Sequence, residues 1–217
     1  MKTEHLDKPK LVDMEFFKDF DWANATRADM ISFGFARGLT ENLMNAGELG
    51  VLYDSLAKVG TNVRILELGR CHGSSTRMFL AYMRRYGGTL YTVDVKVFPE
   101  FFEKMEKYGF NFMGIKAKDA PYEVKIFTEN TLDFKPPKDN SIDLLLIDTS
   151  NEYEQILGEY FRFKRCVGAG KFIAVHDAKA YEPVKAAVEV MKRAEKGFHS
   201  VTYDNDAGYG LVCFTVR

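Results

Sequence analysis

Cysteine is scarce: Cys71, Cys166 and Cys213 are the only three, they are odd in number, and they lie far apart. Neither a disulfide framework nor a paired metal-ligand spacing can be built from them, so a reducing compartment fits the chain. Charge imbalance is also missing. With 30 Lys and Arg against 31 Asp and Glu, the formal net charge of -1 offers no general attraction for a phosphate backbone, which argues against a nucleic-acid partner. No run of about 18 uncharged apolar residues occurs, and the charged residues 1–9 lack the apolar centre of a signal peptide. A cytoplasmic protein with no membrane partner is expected. Internal repeats, low-complexity tracts and linkers are absent too.

What is present reads as one ordinary α/β domain. The 217 residues, 46% hydrophobic and 28% charged, suffice for one well-buried core but not for two full ones. From residue 61 onward, short apolar runs alternate with longer amphipathic ones, the pattern of strand–helix units feeding a parallel sheet. Strands are expected at 63–68, 89–94, 124–128, 142–148 and 171–176, with helices at 74–86, 99–108, 152–165 and 182–196. The near-continuous apolar run at 142–148 suits a central strand covered on both faces. Residues 199–203 and 211–216 alternate like paired strands, closing the sheet with an antiparallel, hairpin-like element. The fold class is therefore α/β, a Rossmann-like, mostly parallel seven-stranded sheet with helices on both faces and an antiparallel C-terminal strand. Residues 39–59 carry helical spacing through Leu43, Leu49, Leu52 and Leu56. Residues 1–60 thus read as a helical cap within the same domain as the core at 61–217. An aromatic-rich stretch, Phe16, Phe17, Phe20, Trp22, Phe33 and Phe35, could line a cleft, although packing is the commoner use of such residues.

The chemistry concentrates in Ile65-Leu-Glu-Leu-Gly-Arg-Cys-His-Gly-Ser-Ser-Thr76, where a strand runs through a glycine turn into a helix. Gly69 and Gly73 allow the backbone to approach a ligand, and the free N–H groups of the helix start suit an anionic group, with Ser74 and Ser75 adding hydroxyls. Asp94 ends the next strand, where an acid can accept hydrogen bonds from ribose hydroxyls. An NAD-binding oxidoreductase would also place an acid there. Its Gly-x-Gly-x-x-Gly turn, however, is not matched, because Cys71 and Ser74 stand at the second and third glycine positions. Cys71 is read as a small apolar filler, for lack of an activating base, and His72 as an exposed turn residue.

Glu67-x-Gly69-x-x-x-Gly73-x-Ser75-Thr76 resembles motif I of class I S-adenosylmethionine (SAM)-dependent methyltransferases. The closest resemblance is to methyltransferase family 24, related to small-molecule O-methyltransferases and cephalosporin-hydroxylase-like proteins. The stretches 146–154, 174–177 and 208–212 are similar to that subgroup's IDxxHxYE, HD and GxG segments. The resemblance implies that Glu67, Gly69, Gly73, Ser74 and Ser75 surround SAM, that Asp94 holds the ribose, and that Asn130, with Glu129 as its rival, lies near the adenine. It also implies that Asp148 and Asp177 share a divalent cation such as Mg2+, which would hold and acidify an acceptor hydroxyl. Catalytic work would fall to Asp148, His176 and Asp177, with His176 or Asp177 able to act as base. Asn151 stands where the family has histidine and cannot serve as a base. The implied reaction is O-methylation of a small molecule or sugar; a non-catalytic SAM-binding or interaction module is the alternative that Asn151 raises. Association into a homo-oligomer is left open.

Overall fold

The computed structural model describes residues 2, 4–38, 44–110, 121–194, 199–203 and 208–217. Helices α1 (Arg27–Gly34) and α2 (Ala46–Val59) precede strand β1 (Val63–Leu68). There follow α3 (Ser74–Tyr86), β2 (Gly88–Asp94), α4 (Pro99–Lys107), β3 (Tyr122–Thr128), β4 (Ile142–Ile147) and α5 (Tyr153–Phe163). The remaining elements are β5 (Val167–Val175), α6 (Glu182–Ala194), β6 (His199–Tyr203) and β7 (Leu211–Thr215). One seven-stranded sheet results, in the order β3-β2-β1-β4-β5-β7-β6. The first five strands pair in parallel, and β7 runs antiparallel between β5 and β6. The winding direction reverses between β1 and β4, which opens a crevice at the carboxyl ends of those strands.

Period-two alternation divides the sheet's side chains between two cores. Val63, Ile65, Leu90, Leu144, Leu146, Phe172, Ala174, Leu211 and Cys213 face α1 to α4 and the N-terminal segment. Leu66, Leu68, Val93, Leu145, Ile147, Ile173, Val175, Val212 and Phe214 face α5 and α6. All the expected strands form, but β5 starts at Val167, earlier than residue 171. Gly170, at φ 75, continues the strand instead of ending the preceding turn, and a register irregularity between Ile142 and Leu144 accommodates it.

Helix α2 begins at Ala46, not at residue 39. Asn45 accepts hydrogen bonds from the Gly47 and Glu48 amides, and the Glu48 carboxylate accepts from the Asn45 amide, a reciprocal cap that defines the start. Residues 39–43 lie outside the described residues. Helix α1 was not foreseen. It is opened by a second reciprocal cap, Thr26 with Asp29, and every residue from Ala28 to Gly34 is buried, so no polar stripe marks it as a helix.

The aromatic stretch packs instead of lining a cleft. The Trp22 ring lies within 5.5 Å of Phe17, 5.0 Å of Phe20, 4.6 Å of Phe33 and 5.2 Å of Phe110, centroid to centroid. Trp22, Phe17, Phe20 and Phe33 are all buried. Trp22→Ala should therefore lower stability by about 3–5 kcal/mol, read as a lower urea midpoint. A midpoint equal to that of the wild type would mean that the aromatic knot contributes nothing to the fold.

Candidate functional site

Strand pairing continues one step past the strand ends and draws a row of residues together there. The Gly69 amide donates to the Val93 carbonyl (2.8 Å), Asp148 to Leu68 (2.9 Å), His176 to Ile147 (3.1 Å) and Glu129 to Asp94 (3.1 Å). Motif I, the end of β2, the end of β4 and the end of β5 thus become neighbours. Gly69 sits so close to the β4 end that an added Cβ would lie 1.9 Å from the Asp148 carbonyl oxygen. At Gly73 an added Cβ would fall 2.2 Å from the Phe101 ring of α4, and its φ of 79° is left-handed.

Glu67 continues the alternation of Val63 and Ile65 and so points inward toward α3, where it is fully buried. Its carboxylate accepts from Ser75 Oγ (2.6 Å), Thr76 Oγ1 (2.8 Å) and Thr92 Oγ1 (2.6 Å). Burial raises the Glu67 pKa, opposed by these hydroxyls and by Arg70. Asp94 holds the same turn from the other side. Its Oδ2 accepts from the Arg70 and Cys71 amides, both at 2.8 Å, and Oδ1 from the Lys96 amide at 2.9 Å. About four lone-pair sites exist on a carboxylate, so little capacity is left for two ribose hydroxyls at once.

A cleft of about 360 Å³ opens at these strand ends, within the range of small-ligand sites. Of the residues expected around a cofactor, Gly69, Asp94 and Asn130 line it, as does Asp148, whereas Glu67, Gly73, Ser74 and Ser75 do not. Glu67 and Ser75 instead brace the turn from beneath, and Ser74 is buried. Asn130 is exposed, and its Oδ1 accepts from the Leu132 amide; Glu129 is absent from the lining. Cys71 does line the cleft, and burial pushes its thiol pKa up, in keeping with a non-nucleophilic role. The lining also includes residues that sequence reasoning missed: Phe98, Thr131, Thr149 and Gln155. Three of these join a polar network below the cleft. Buried Glu159 accepts from Thr149 Oγ1 (2.9 Å), Gln155 Nε2 (2.7 Å) and Thr131 Oγ1. A larger groove of about 500 Å³ along α2, lined by Arg27, Lys58 and Phe172 among others, contains none of the expected site residues.

Asp148 joins the cleft to a second cluster. His176 Nδ1 is 3.1 Å from Asp148 Oδ1 and 3.4 Å from Asp177 Oδ1, and its Nε2 is 3.5 Å from Glu48 Oε2 on α2. Burial opposes a charge on this imidazole, but Asp148 above all, then Glu48 and Asp177, hold its pKa up at about 10. The imidazole is thus held in its charged form near neutrality in the metal-free protein, which disfavours it as a base there. Asp177 is raised to about 6, by burial and by the charges of Asp148 and Glu48, against the pull of His176 and a hydrogen bond with Asn151. Asp177 also holds a left-handed φ of 64°. One ligand atom from each of Asp148, His176 and Asp177 falls within 4.8 Å of the others. Two crowded carboxylates with an imidazole fit a divalent cation, which would relieve the repulsion between the carboxylates.

The methyltransferase domain family model matches residues 66–178, more than half of the 217 residues. The chain belongs to that family. It is a class I SAM-dependent methyltransferase, and the nicotinamide and non-catalytic alternatives are set aside. No curated protein matches the chain in sequence. Among solved structures, one similar in fold is a Streptococcus mutans protein described as a methyltransferase in complex with SAH. It is 14% identical, with 77% of this chain and 97% of that one covered and a TM-score of 0.55. The O-methyltransferase NovP is 15% identical, with 80% and 81% covered and a TM-score of 0.57. A Clostridium thermocellum protein described as an rRNA methylase is 14% identical, with 78% and 96% covered and a TM-score of 0.54. Identities this low establish a shared fold alone.

The charge on His176 has a consequence for stability. Its folded pKa of about 10 lies above the ordinary 6.5, so its contribution is complete below about pH 6.5 and is lost as pH rises toward 10. Metal-free methyltransferase should lose on the order of a few kcal/mol across that window, measured by urea unfolding with a chelator. His176→Gln should flatten the slope, and equal slopes would refute the charged imidazole.

Proposed function

We propose that this methyltransferase transfers the methyl group of SAM to a hydroxyl oxygen of a small molecule or sugar in the cytoplasm. The observation that carries the reading is the Asp148–His176–Asp177 cluster, which shares Asp148 with the cleft at the switch point of the sheet. Such a cluster has work to do in O-methylation, because a hydroxyl must be held and deprotonated before it attacks. The name of NovP, an O-methyltransferase of the same fold, supports it. An RNA acceptor, suggested by the neighbour described as an rRNA methylase, is disfavoured by the charge at the site. Among the described residues, Asp94, Asp148 and Glu152 line the cleft against a single cation, Lys96, and carboxylates repel a phosphate backbone. No helix among the described residues is long and apolar enough to cross a membrane.

Bound SAM supplies an already activated methyl group on its sulfonium, so the protein's tasks are alignment and proton removal. The Gly69–Gly73 turn and Asp94 would hold the cofactor, Asp94 having acceptor capacity left for one ribose hydroxyl and Asn130 standing where it could meet the adenine. Glu67, Gly73, Ser74 and Ser75 shape the turn. Asp148 and Asp177 would hold a divalent cation such as Mg2+, which would acidify the acceptor hydroxyl. Asp177 is also the candidate base: in the metal-free protein burial, Asp148 and Glu48 raise its pKa to about 6, and a cation would lower it, so this role belongs to the site without the ion. Residues 1–60 act as part of the same domain as the core.

Two substitutions separate these roles. Asp94→Ala should weaken SAM binding about 10- to 100-fold, the worth of a charge-assisted hydrogen bond, by calorimetry. Asp177→Asn should leave that affinity in place and lower kcat on a hydroxyl acceptor about 10²- to 10⁴-fold, with Mg2+ or a chelator present in parallel assays. Full turnover by Asp177→Asn would remove the residue from the mechanism.

A further inference from the structure

The mechanism so far makes no use of Glu48, although it is a buried carboxylate and the fourth polar group at the cluster. It stands in the first turn of α2, is 1% exposed, and faces His176, which is 3% exposed. Its partners come from three places in the chain. Oε2 accepts from the Asn45 amide (2.9 Å) and Oε1 from the Gly210 amide (2.8 Å), while Oε2 lies 3.5 Å from His176 Nε2. That Nε2 atom is buried with no hydrogen bond of its own. The 3.5 Å spacing is within ion-pair reach but longer than a good N–H···O bond.

The approach follows from the fold. His176 continues the alternation of Phe172 and Ala174, whose side chains face the α1–α4 side of the sheet, so its imidazole must point toward α2. Gly208 packs onto the same place: an added Cβ there would lie 2.6 Å from Glu48 Oε1. The backbone of Gly210 in turn accepts from the Ala178 amide, one residue past Asp177. The glycines ahead of β7 thus let Glu48 reach both the β5 end and the β7 entrance.

We propose that Glu48 is a positioning residue: facing Nε2 from behind, it fixes the orientation of the His176 ring so that Nδ1 is turned toward Asp148 and Asp177. An ionised carboxylate can only accept a hydrogen bond, so the Nε2–H of the metal-free imidazolium is directed at Glu48 while Nδ1–H faces the cluster. A carboxylate behind an imidazole that serves a metal or a reacting group fixes the ring's tautomer and orientation. The inference rests on the proposed role of the Asp148–His176–Asp177 cluster and adds that a helix of the N-terminal cap completes that cluster.

The test uses the full-length protein with Glu48→Gln and Glu48→Ala. Glutamine keeps the shape but has one oxygen, which cannot serve Gly210, Asn45 and His176 together, so it remains informative if the alanine variant does not fold. Two readouts are taken on metal-free protein: the His176 ring signals by ¹⁵N-detected NMR, and Mn2+ affinity by electron paramagnetic resonance. Wild type should show a downfield Nε2–H signal that is lost or displaced in the variants, with Mn2+ affinity reduced about 10- to 100-fold and SAM affinity retained. An unmoved Nε2–H signal together with unchanged Mn2+ affinity in a folded variant would overturn the proposal. If wild type itself binds no Mn2+, the cation in the proposed function fails, and the ring signal alone decides the role of Glu48.

Discussion

A carboxylate buried without water must be hydrogen-bonded by the protein around it, and in this methyltransferase that requirement shapes the cofactor turn. Glu67 has no exposed surface, and its three hydroxyl partners come from β2 and from the first turn of α3. Satisfying it therefore fixes how β1, β2 and α3 meet. Arg70, itself 2% exposed, supplies the nearby positive charge and donates to the Lys96 carbonyl at 3.0 Å. From the open side, Asp94 accepts the two amides at the crown of the turn. The turn is held between two carboxylates, one in the core and one in the cleft. Losing either leaves donors unpaired, which costs more than the net worth of the bonds themselves.

The same alternation that buries Glu67 delivers His176. Side chains on β1 and β5 that face the α1–α4 side are apolar along the strands and become polar at the carboxyl ends, where Glu67 and His176 stand. One is sealed by α3 and the other meets α2. Helix α2 is thus held by its apolar face against the sheet, through Leu49, Leu52 and Leu56, and by its first turn against the cluster. The cap thus meets the cluster in two ways, through the His176 imidazole and through the Gly210 backbone that bonds Ala178.

The strands were legible because their signal is simple. Each is a short apolar run bounded by glycine or an acid, and the continuous run at 142–148 sits centrally in the sheet as such runs should. Motif I was legible as a place but not as a list of contacts. Sequence spacing cannot tell whether a residue beside a turn faces the ligand or supports the backbone: Glu67 and Ser75, expected around the cofactor, are hydrogen-bonded to each other beneath the turn. Helix α1 was hidden because a helix buried all round has no polar stripe to give it periodicity. Glu48 left a trace that could have been read. Asn45-x-x-Glu48 has the spacing of a reciprocal helix cap, and counting Phe172, Ala174, His176 in twos places the imidazole on the side where that cap lies. Gln155 and Glu159 are neighbours four apart on α5, but Thr131 left no trace, since it joins them only when the β3–β4 connection packs on that helix.

The clustering of acids at the strand ends also bears on which ligand state the cleft favours. Asp94, Asp148 and Glu152 line it, Asp177 stands beside it, and Glu48 lies behind His176. Against them are Lys96, which is exposed, and the His176 imidazolium, which is turned toward its own carboxylates. Burial first, and then the charges of Asp148 and Glu48, raise the Asp177 pKa. In the metal-free protein the potential of these acids favours a positively charged ligand over a neutral one of the same shape, and a cation held by Asp148 and Asp177 would reduce it. The methyl donor carries a sulfonium and its demethylated product a neutral thioether, so the field that gathers the donor relaxes its hold once the methyl has gone.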